Sequence, residues 1–538
     1  MFPTLLAFAV GCITQSLPVV DLGYERHRAL FLDDSDFYHF NNIRYAAPPL
    51  GDLRWRAPVP PAENTSEIQT GETDHICPQA MASWRTNLGA AFHLRMASTQ
   101  RKKKNTNITE DCLFLDVTVP KPVFHRAQSE ISNSAGQLAP VFVWIFGGGY
   151  AEGDKNIINT TGLISRAMQE GSEGIVSVSI NYRLGAFGWL AGGSLTKNGT
   201  ANAGLYDQRF ALEWVQKHIK LFGGDPERVT VGGESAGGGS VLHQITAYGG
   251  DNVSLPFHQA IVQSPGWFPI ADETQQEETL QDFFTILGVN TIDEARNQST
   301  NRLIAANSNQ IKQSSYGTFT YGPVVDGSFV PQFPGQLLEA GSFNHNVTLM
   351  VGHNTDEGAL FTNPELGIHS ASLDNVLKVF YPDMNEKIKG YVGNNLYPYP
   401  GYYFHENFYR IANATADLVF QCNAEFLARA LENQTYAYMF DIFPAFHSID
   451  IYYTFYSGEP NPLVRNETAA FILQDYLTSF IENGKPVSRL GPVFPLYGTQ
   501  PQGQLLNISQ HEIIQQLDPT NNARCAFWQS APNFEIQS

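Results

Sequence analysis

Gly233-Glu234-Ser235-Ala236-Gly237 follows the β-type run Val229-Thr230-Val231 and precedes a small-residue helix start at Gly238-Gly239-Ser240. A strand that turns sharply into a helix holds a serine hydroxyl clear of the backbone, as a nucleophile requires, and glycines on either side remove clashes that a Cβ would create. In a chain with 46 glycines the G-x-S-x-G pattern alone is weak evidence; the strand and helix around it give it weight. A serine hydroxyl near neutral pH also needs an imidazole to take its proton and a carboxylate to orient that imidazole. Candidates follow two later strand-like runs, in His353-Asn354-Thr355-Asp356-Glu357-Gly358 and in Phe443-Pro444-Ala445-Phe446-His447-Ser448. The order serine, acid, histidine suits this elbow. Spacing alone neither selects His447 among 14 histidines nor separates Asp356 from Glu357. A further glycine loop, Gly147-Gly148-Gly149-Tyr150, offers backbone N–H groups that with the amide of Ala236 would hold an oxyanion. A flexible turn or a phosphate cradle are the alternatives, and the lack of a G-x-x-x-x-G-K-[ST] pattern weakens the second.

The elements that must position these groups are apolar strand-like runs at 141–146, 175–180, 229–231, 260–262, 348–351 and 436–440, with helical patterns such as 209–215 between them. Nearly continuous apolar runs suit strands buried on both faces, so the pattern predicts an α/β fold with a large, mainly parallel sheet flanked by helices. In such sheets the chemistry gathers at the carboxyl ends of the strands. No linker, repeat or long charge run divides the 538 residues, and 43% hydrophobic content suffices for a sizeable core. One domain over 17–538 is therefore expected. A net charge of −19 repels phosphate backbones and anionic headgroups, which argues against a nucleic-acid partner. The basic run Arg101-Lys102-Lys103-Lys104 reads as a solvated loop.

Residues 1–16 carry the apolar run Leu5-Leu6-Ala7-Phe8-Ala9-Val10 followed by Thr14-Gln15-Ser16, which predicts a secretory signal peptide and an extracellular protein; a bacterial lipoprotein signal at Val10-Gly11-Cys12 is the lesser alternative. Eleven Asn-x-Ser/Thr sequons agree with secretion: Asn64, Asn107, Asn159, Asn198, Asn252, Asn297, Asn346, Asn413, Asn433, Asn466 and Asn507. No segment reaches transmembrane length, so stable membrane insertion is not expected. Loss of Cys12 with the signal leaves Cys77, Cys112, Cys422 and Cys525, for which three pairings are open. The sequence carries no signal for a particular oligomeric state.

A series of ordered motifs resembles the type-B carboxylesterase/lipase family of α/β-hydrolases, which includes secreted fungal lipases and cholinesterases. They run from Asn42-Ile43-Arg44-Tyr45-Ala46 and Leu53-Arg54-Trp55 through Glu110-Asp111-Cys112, Phe146-Gly147-Gly148-Gly149, Asn181-Tyr182-Arg183, Phe222-Gly223-Gly224-Asp225-Pro226 and the serine elbow. Beyond it come Asp356-Glu357-Gly358, His447-Ser448-Ile449-Asp450 and Cys525-Ala526-Phe527-Trp528. The resemblance implies a carboxylic-ester hydrolase with Ser235 as nucleophile, Glu357 as the acid, His447 as general base, and Gly148, Gly149 and Ala236 as oxyanion donors. It implies Glu234 and Ser264 as supporting residues, with Pro265 where the family more often has glycine. It also implies the disulfides Cys77–Cys112 and Cys422–Cys525 and an ion pair between Arg44 and Glu110. The substrate would be a small-molecule or lipid ester, and the chemistry requires neither metal nor cofactor. Related lipases carry a mobile lid in the early disulfide loop; here Trp84, Leu88 and Phe92 are spaced as one helical face, which suits a lid or a fixed helix equally. The cationic stretch 101–104 near the second cysteine argues against a choline ester. Some relatives keep the fold without the chemistry as adhesion proteins; these lack a triad residue, whereas this chain has candidates for all three.

Overall fold

Val, Phe, Trp and Ile fill 141–145, Val and Ile alternate with serine through 176–180, and every residue of 139–145 and 176–180 is buried, as central strands covered on two faces must be. A computed structural model describes residues 17–31, 36–87, 106–130, 138–169, 172, 174–250, 253–270, 272–364, 372–382, 384–399 and 404–530. The signal-like segment, Asn252, Leu88, Phe92 and the basic run 101–104 lie outside them.

The large sheet has 10 strands. In chain order they are β1 (Phe37–Arg44), β2 (Phe114–Pro120), β3 (Ala139–Ile145), β4 (Val176–Ile180), β5 (Gly224–Glu234), β6 (Gln259–Gln263), β7 (Thr348–Asn354), β8 (Thr435–Asp441), β9 (Gln504–Ser509) and β10 (Ile513–Leu517). Their spatial order is β10-β9-β8-β7-β6-β5-β3-β4-β2-β1. From β9 to β4 every pairing is parallel, and both edges turn antiparallel, through β10 on one side and β2 and β1 on the other. All six runs expected from the sequence are strands of this sheet. The β5 strand continues past Val231 to Glu234, because Gly232, Gly233 and Glu234 keep their register with both β3 and β6 over part or all of that stretch. The helix after it, α1 (Ala236–Ile245), starts directly behind Ser235 rather than at Gly238, and all ten of its residues are buried. Its small residues permit close approach: a Cβ on Gly237 would lie 2.1 Å from the Ile145 carbonyl oxygen.

Both expected disulfides are present, Cys77–Cys112 and Cys422–Cys525. The second joins α2 (Cys422–Ala430) to α3 (Ala523–Ser530) across a separation of 103 residues. Loop-closure entropy for so long a loop is about 4–5 kcal/mol. The Cys422→Ala/Cys525→Ala variant should therefore melt well below the parent in a circular-dichroism scan; an unchanged midpoint would mean the C-terminal helix is held by packing alone.

The expected Arg44–Glu110 pair does not form. Glu110 is buried and takes Arg54 instead, through Nε at 2.8 Å and a second guanidinium nitrogen at 2.6 Å. Arg44, at the end of an edge strand and more exposed, pairs with the neighbouring Asp111 at 2.6 and 2.9 Å. Adjacent acids face opposite ways, so each meets a different arginine.

Candidate active site

Four strand ends converge on one point. Ser235 sits between β5 and α1 with φ 58° and ψ −126°, a left-handed conformation that a non-glycine residue adopts at a cost. Its carbonyl accepts from Gly239 and Gly266, and its own amide donates to Gln263, so three segments hold it there. His447 follows β8, and Glu357 follows β7. The two loops are stitched together by Thr355 N–H donating to Phe440 O at 3.0 Å and Asp356 N–H donating to Ala445 O at 2.9 Å.

His447 Nε2 lies 2.8 Å from Ser235 Oγ, and His447 Nδ1 makes a short hydrogen bond to Glu357 Oε2. Glu357 is fully buried, and its other oxygen accepts from Ser264 Oγ at 2.5 Å and from the Asn354 amide at 2.6 Å. Asp356, which the sequence could not separate from Glu357, is half-buried and makes no such contact with the imidazole. Burial pushes the Glu357 carboxyl up, but His447 and the donors at its oxygens outweigh this and hold it below the usual range. Burial pushes the His447 imidazole down, and the carboxylates of Glu357 and Glu234 outweigh that, leaving it above its ordinary value.

Glu234 is buried on the opposite side of the ring, with Oε1 3.3 Å from His447 Nε2 and accepting from Ser448 Oγ. Desolvation raises its carboxyl to about 7. Beneath Glu357, Asn354 Nδ2 donates to Asp450 Oδ1 at 3.1 Å, while Gln263 and Tyr438 donate to the other Asp450 oxygen. The sequence reading missed Asn354, Ser448 and Asp450 as site members, although each lies within one or three residues of a triad candidate. The imidazole is walled by Phe420 and Phe361, with ring centroids at 4.2 and 5.1 Å.

The glycine loop lies beside the serine. A Cβ on Gly147 would come 2.6 Å from Glu234 O and 2.8 Å from Ser235 Cβ, and one on Gly149 would enter the Phe319 ring at 2.3 Å. Among the described residues nothing accepts from the amides of Gly148, Gly149 or Ala236. The Ala236 amide also opens α1, so the positive end of the helix dipole points at the same place.

Among the described residues, the grouping of three metal-ligating atom types is Asp417, Cys422 and Cys525, and the two cysteine sulfurs in it are bonded to each other. The early loop carries a 3-10 helix, Ser83–Asn87, in which Trp84 is docked against Tyr316 and Phe319 and donates to Thr318 O at 2.7 Å.

A family model described as the carboxylesterase family matches residues 26–528. The chain belongs to the carboxylesterase family. Within that family it is 37% identical over 539 residues to carboxylesterase patB of Aspergillus clavatus, covering 96% of each chain. It is 31% identical over 426 residues to Lipase 1 of Geotrichum candidum, covering 71% of this chain and 72% of that one. The crystal structure of Aspergillus niger EstA superposes with a TM-score of 0.79 at 28% identity, covering 97% and 99% of the two chains. This carboxylesterase-family chain has the α/β-hydrolase fold and is a carboxylic ester hydrolase.

Proposed function

We propose that this chain is a secreted serine esterase that works through an acyl-enzyme, with Ser235 as nucleophile, His447 as general base and acid, and Glu357 as the group that orients and stabilises the imidazole. The observation that carries this is the unbroken relay from the Ser235 hydroxyl through both His447 nitrogens to a fully buried Glu357. Neutral His447, with its Nδ1 proton held by Glu357, removes the hydroxyl proton as Ser235 attacks the ester carbonyl. The amides of Gly148, Gly149 and Ala236 receive the oxyanion, so charge develops where donors already stand. His447 then protonates the departing alcohol, afterwards takes a proton from the water that attacks the acyl carbonyl, and gives it to Ser235 Oγ as the acid is released. A fluorophosphonate probe should label the protein stoichiometrically at Ser235; labelling elsewhere, or none, would refute the assignment.

The substrate is an ester whose organic groups face aromatic walls. Those walls are Phe361 and Phe420, whose rings stand against the His447 imidazole. Secretion is supported by relatives such as the secreted lipase of Arthroderma benhamiae, and by the exposure of Asn64, Asn107, Asn159, Asn198, Asn297, Asn346, Asn413 and Asn433 to an oligosaccharyl donor. Asn466 and Asn507 are poorer acceptors, because both are only half-exposed. No helix of the described residues is long and apolar enough to cross a membrane.

The base must be neutral to act, so the rate falls as pH drops through the imidazole pKa. Since the flanking carboxylates raise that pKa, the acid limb of kcat/KM should lie above the 6.5 of a free imidazole. Glu234→Gln deletes a carboxyl that is ionised only near and above pH 7, so it should move the limb modestly to lower pH. A profile that is flat down to pH 4, or a limb that moves upward in the variant, contradicts the assignment.

A further inference from the structure

The segment that follows Cys77 is bonded along its length to the loop that carries the oxyanion amides. Ala80 N–H donates to Ala151 O at 3.0 Å, and the Gln79 side chain both donates to Gly153 O and accepts from Gly153 N–H at 3.1 Å. Farther on, Arg85 forms an ion pair with Glu152, both side chains being largely buried at 20% and 16% exposure. Glu152 is not a remote partner. Its amide and that of Ala151 both donate to Gly148 O at 3.1 Å, and its Cγ lies 3.2 Å from the point where a Gly148 Cβ would be. The Arg85 guanidinium also stands 6.0 Å above the Phe319 ring, the ring that covers Gly149. Both ends of the proposed oxyanion donor pair are therefore covered by groups that Arg85 touches.

We propose that Arg85 is a positioning residue for ester hydrolysis: it neutralises and fixes Glu152, so that the Gly148 and Gly149 amides face an oxyanion without a bare carboxylate beside them. This rests on the triad reading above. In a poorly hydrated site an unpaired anion next to the oxyanion loop acts against the transition state, in which negative charge develops, and has little effect on the neutral ground-state ester. Burial lowers the Arg85 guanidinium to about 10, which leaves it protonated at neutral pH. The effect belongs in kcat rather than KM, and it should be electrostatic in sign: removing the cation harms more than removing the anion.

The test uses the full-length mature protein carrying Arg85→Gln, Glu152→Gln or both, assayed with p-nitrophenyl acetate and with a trifluoromethyl ketone that forms a tetrahedral adduct. Arg85→Gln should lower kcat by about tenfold or more with KM nearly unchanged, and weaken the ketone in parallel. Glu152→Gln should cost less than that, and the double variant should recover most of the loss. Equal losses in the two single variants without recovery in the double would identify a structural clamp and overturn the inference, as would an unchanged kcat in Arg85→Gln. Titration with a fluorophosphonate keeps the two readings apart. A wild-type protein that does not titrate removes the triad reading and this inference with it; one that titrates fully while Arg85→Gln retains its kcat overturns the inference alone.

Discussion

Ser235→Ala is expected to lower kcat for ester hydrolysis by about a million-fold, to the level at which only bound water attacks a polarised carbonyl. The loss is that large because the triad acts as a unit: without the hydroxyl, the proton relay of His447 and Glu357 has nothing to activate. The fold should persist, since the Ser235 side chain makes one hydrogen bond, to His447, while the backbone at 235 is fixed by Gln263, Gly239 and Gly266. A second substitution separates chemistry from strain. At φ 58° and ψ −126° a Cβ is costly, by about 1–3 kcal/mol, and alanine inherits that cost while glycine does not. Ser235→Gly should therefore be equally inactive and melt at a higher temperature than Ser235→Ala. Retained turnover in either variant removes Ser235 from the mechanism; equal melting temperatures would mean that the elbow is relaxed.

The centre of this molecule is legible in the sequence because its physics is local. Residues 141–146 are buried and form an unbroken apolar run, 175–180 are buried and interrupted only by Ser177 and Ser179, and Gly233 and Gly237 mark a turn that tolerates little else. Legibility fades where the determining contact is distant. The edge strands β1 and β10, and β9 beside the latter, mix polar and apolar residues, and their burial is correspondingly broken. The last residues of β5 are Gly, Gly and Glu, poor strand formers that pair because β6 supplies a template along all three and β3 along the two glycines. Choosing Glu357 over Asp356 needed the family resemblance, since the two adjacent carboxylates differ only in which way the chain carries them after β7. The same ambiguity at Glu110 and Asp111 went the other way: the resemblance assigned Arg44 to the buried acid, and burial of Arg54 gave that acid a different partner. Asp450 is invisible in the sequence because it reaches Glu357 only through Asn354, which lies 96 residues from it in the chain and itself donates to Glu357.

Glu357→Gln should lower kcat by about 10⁴-fold, with KM and melting temperature far less affected. The argument turns on which atom meets which donor. One Glu357 oxygen already accepts from Ser264 Oγ and from the Asn354 backbone N–H, and the latter, which can only donate, requires an oxygen there. Glutamine must therefore place its carbonyl oxygen at that end, and its NH₂ is left facing His447 Nδ1. An NH₂ group donates, so Nδ1 must become the acceptor and the ring proton moves to Nε2, the nitrogen 2.8 Å from Ser235 Oγ. That tautomer cannot take the serine proton. The same substitution deletes a carboxylate that holds the His447 imidazole above its ordinary pKa, so whatever activity remains should show its acid limb at lower pH than the parent. Glu357→Asp tests geometry against charge: it keeps the acceptor but shortens the reach, and should fall between the parent and the glutamine variant. If glutamine proved as active as glutamate, with the imidazole still titrating where it did, the carboxylate would have no part in setting the tautomer, and Glu357 would be reduced to a buried residue that happens to lie beside the histidine.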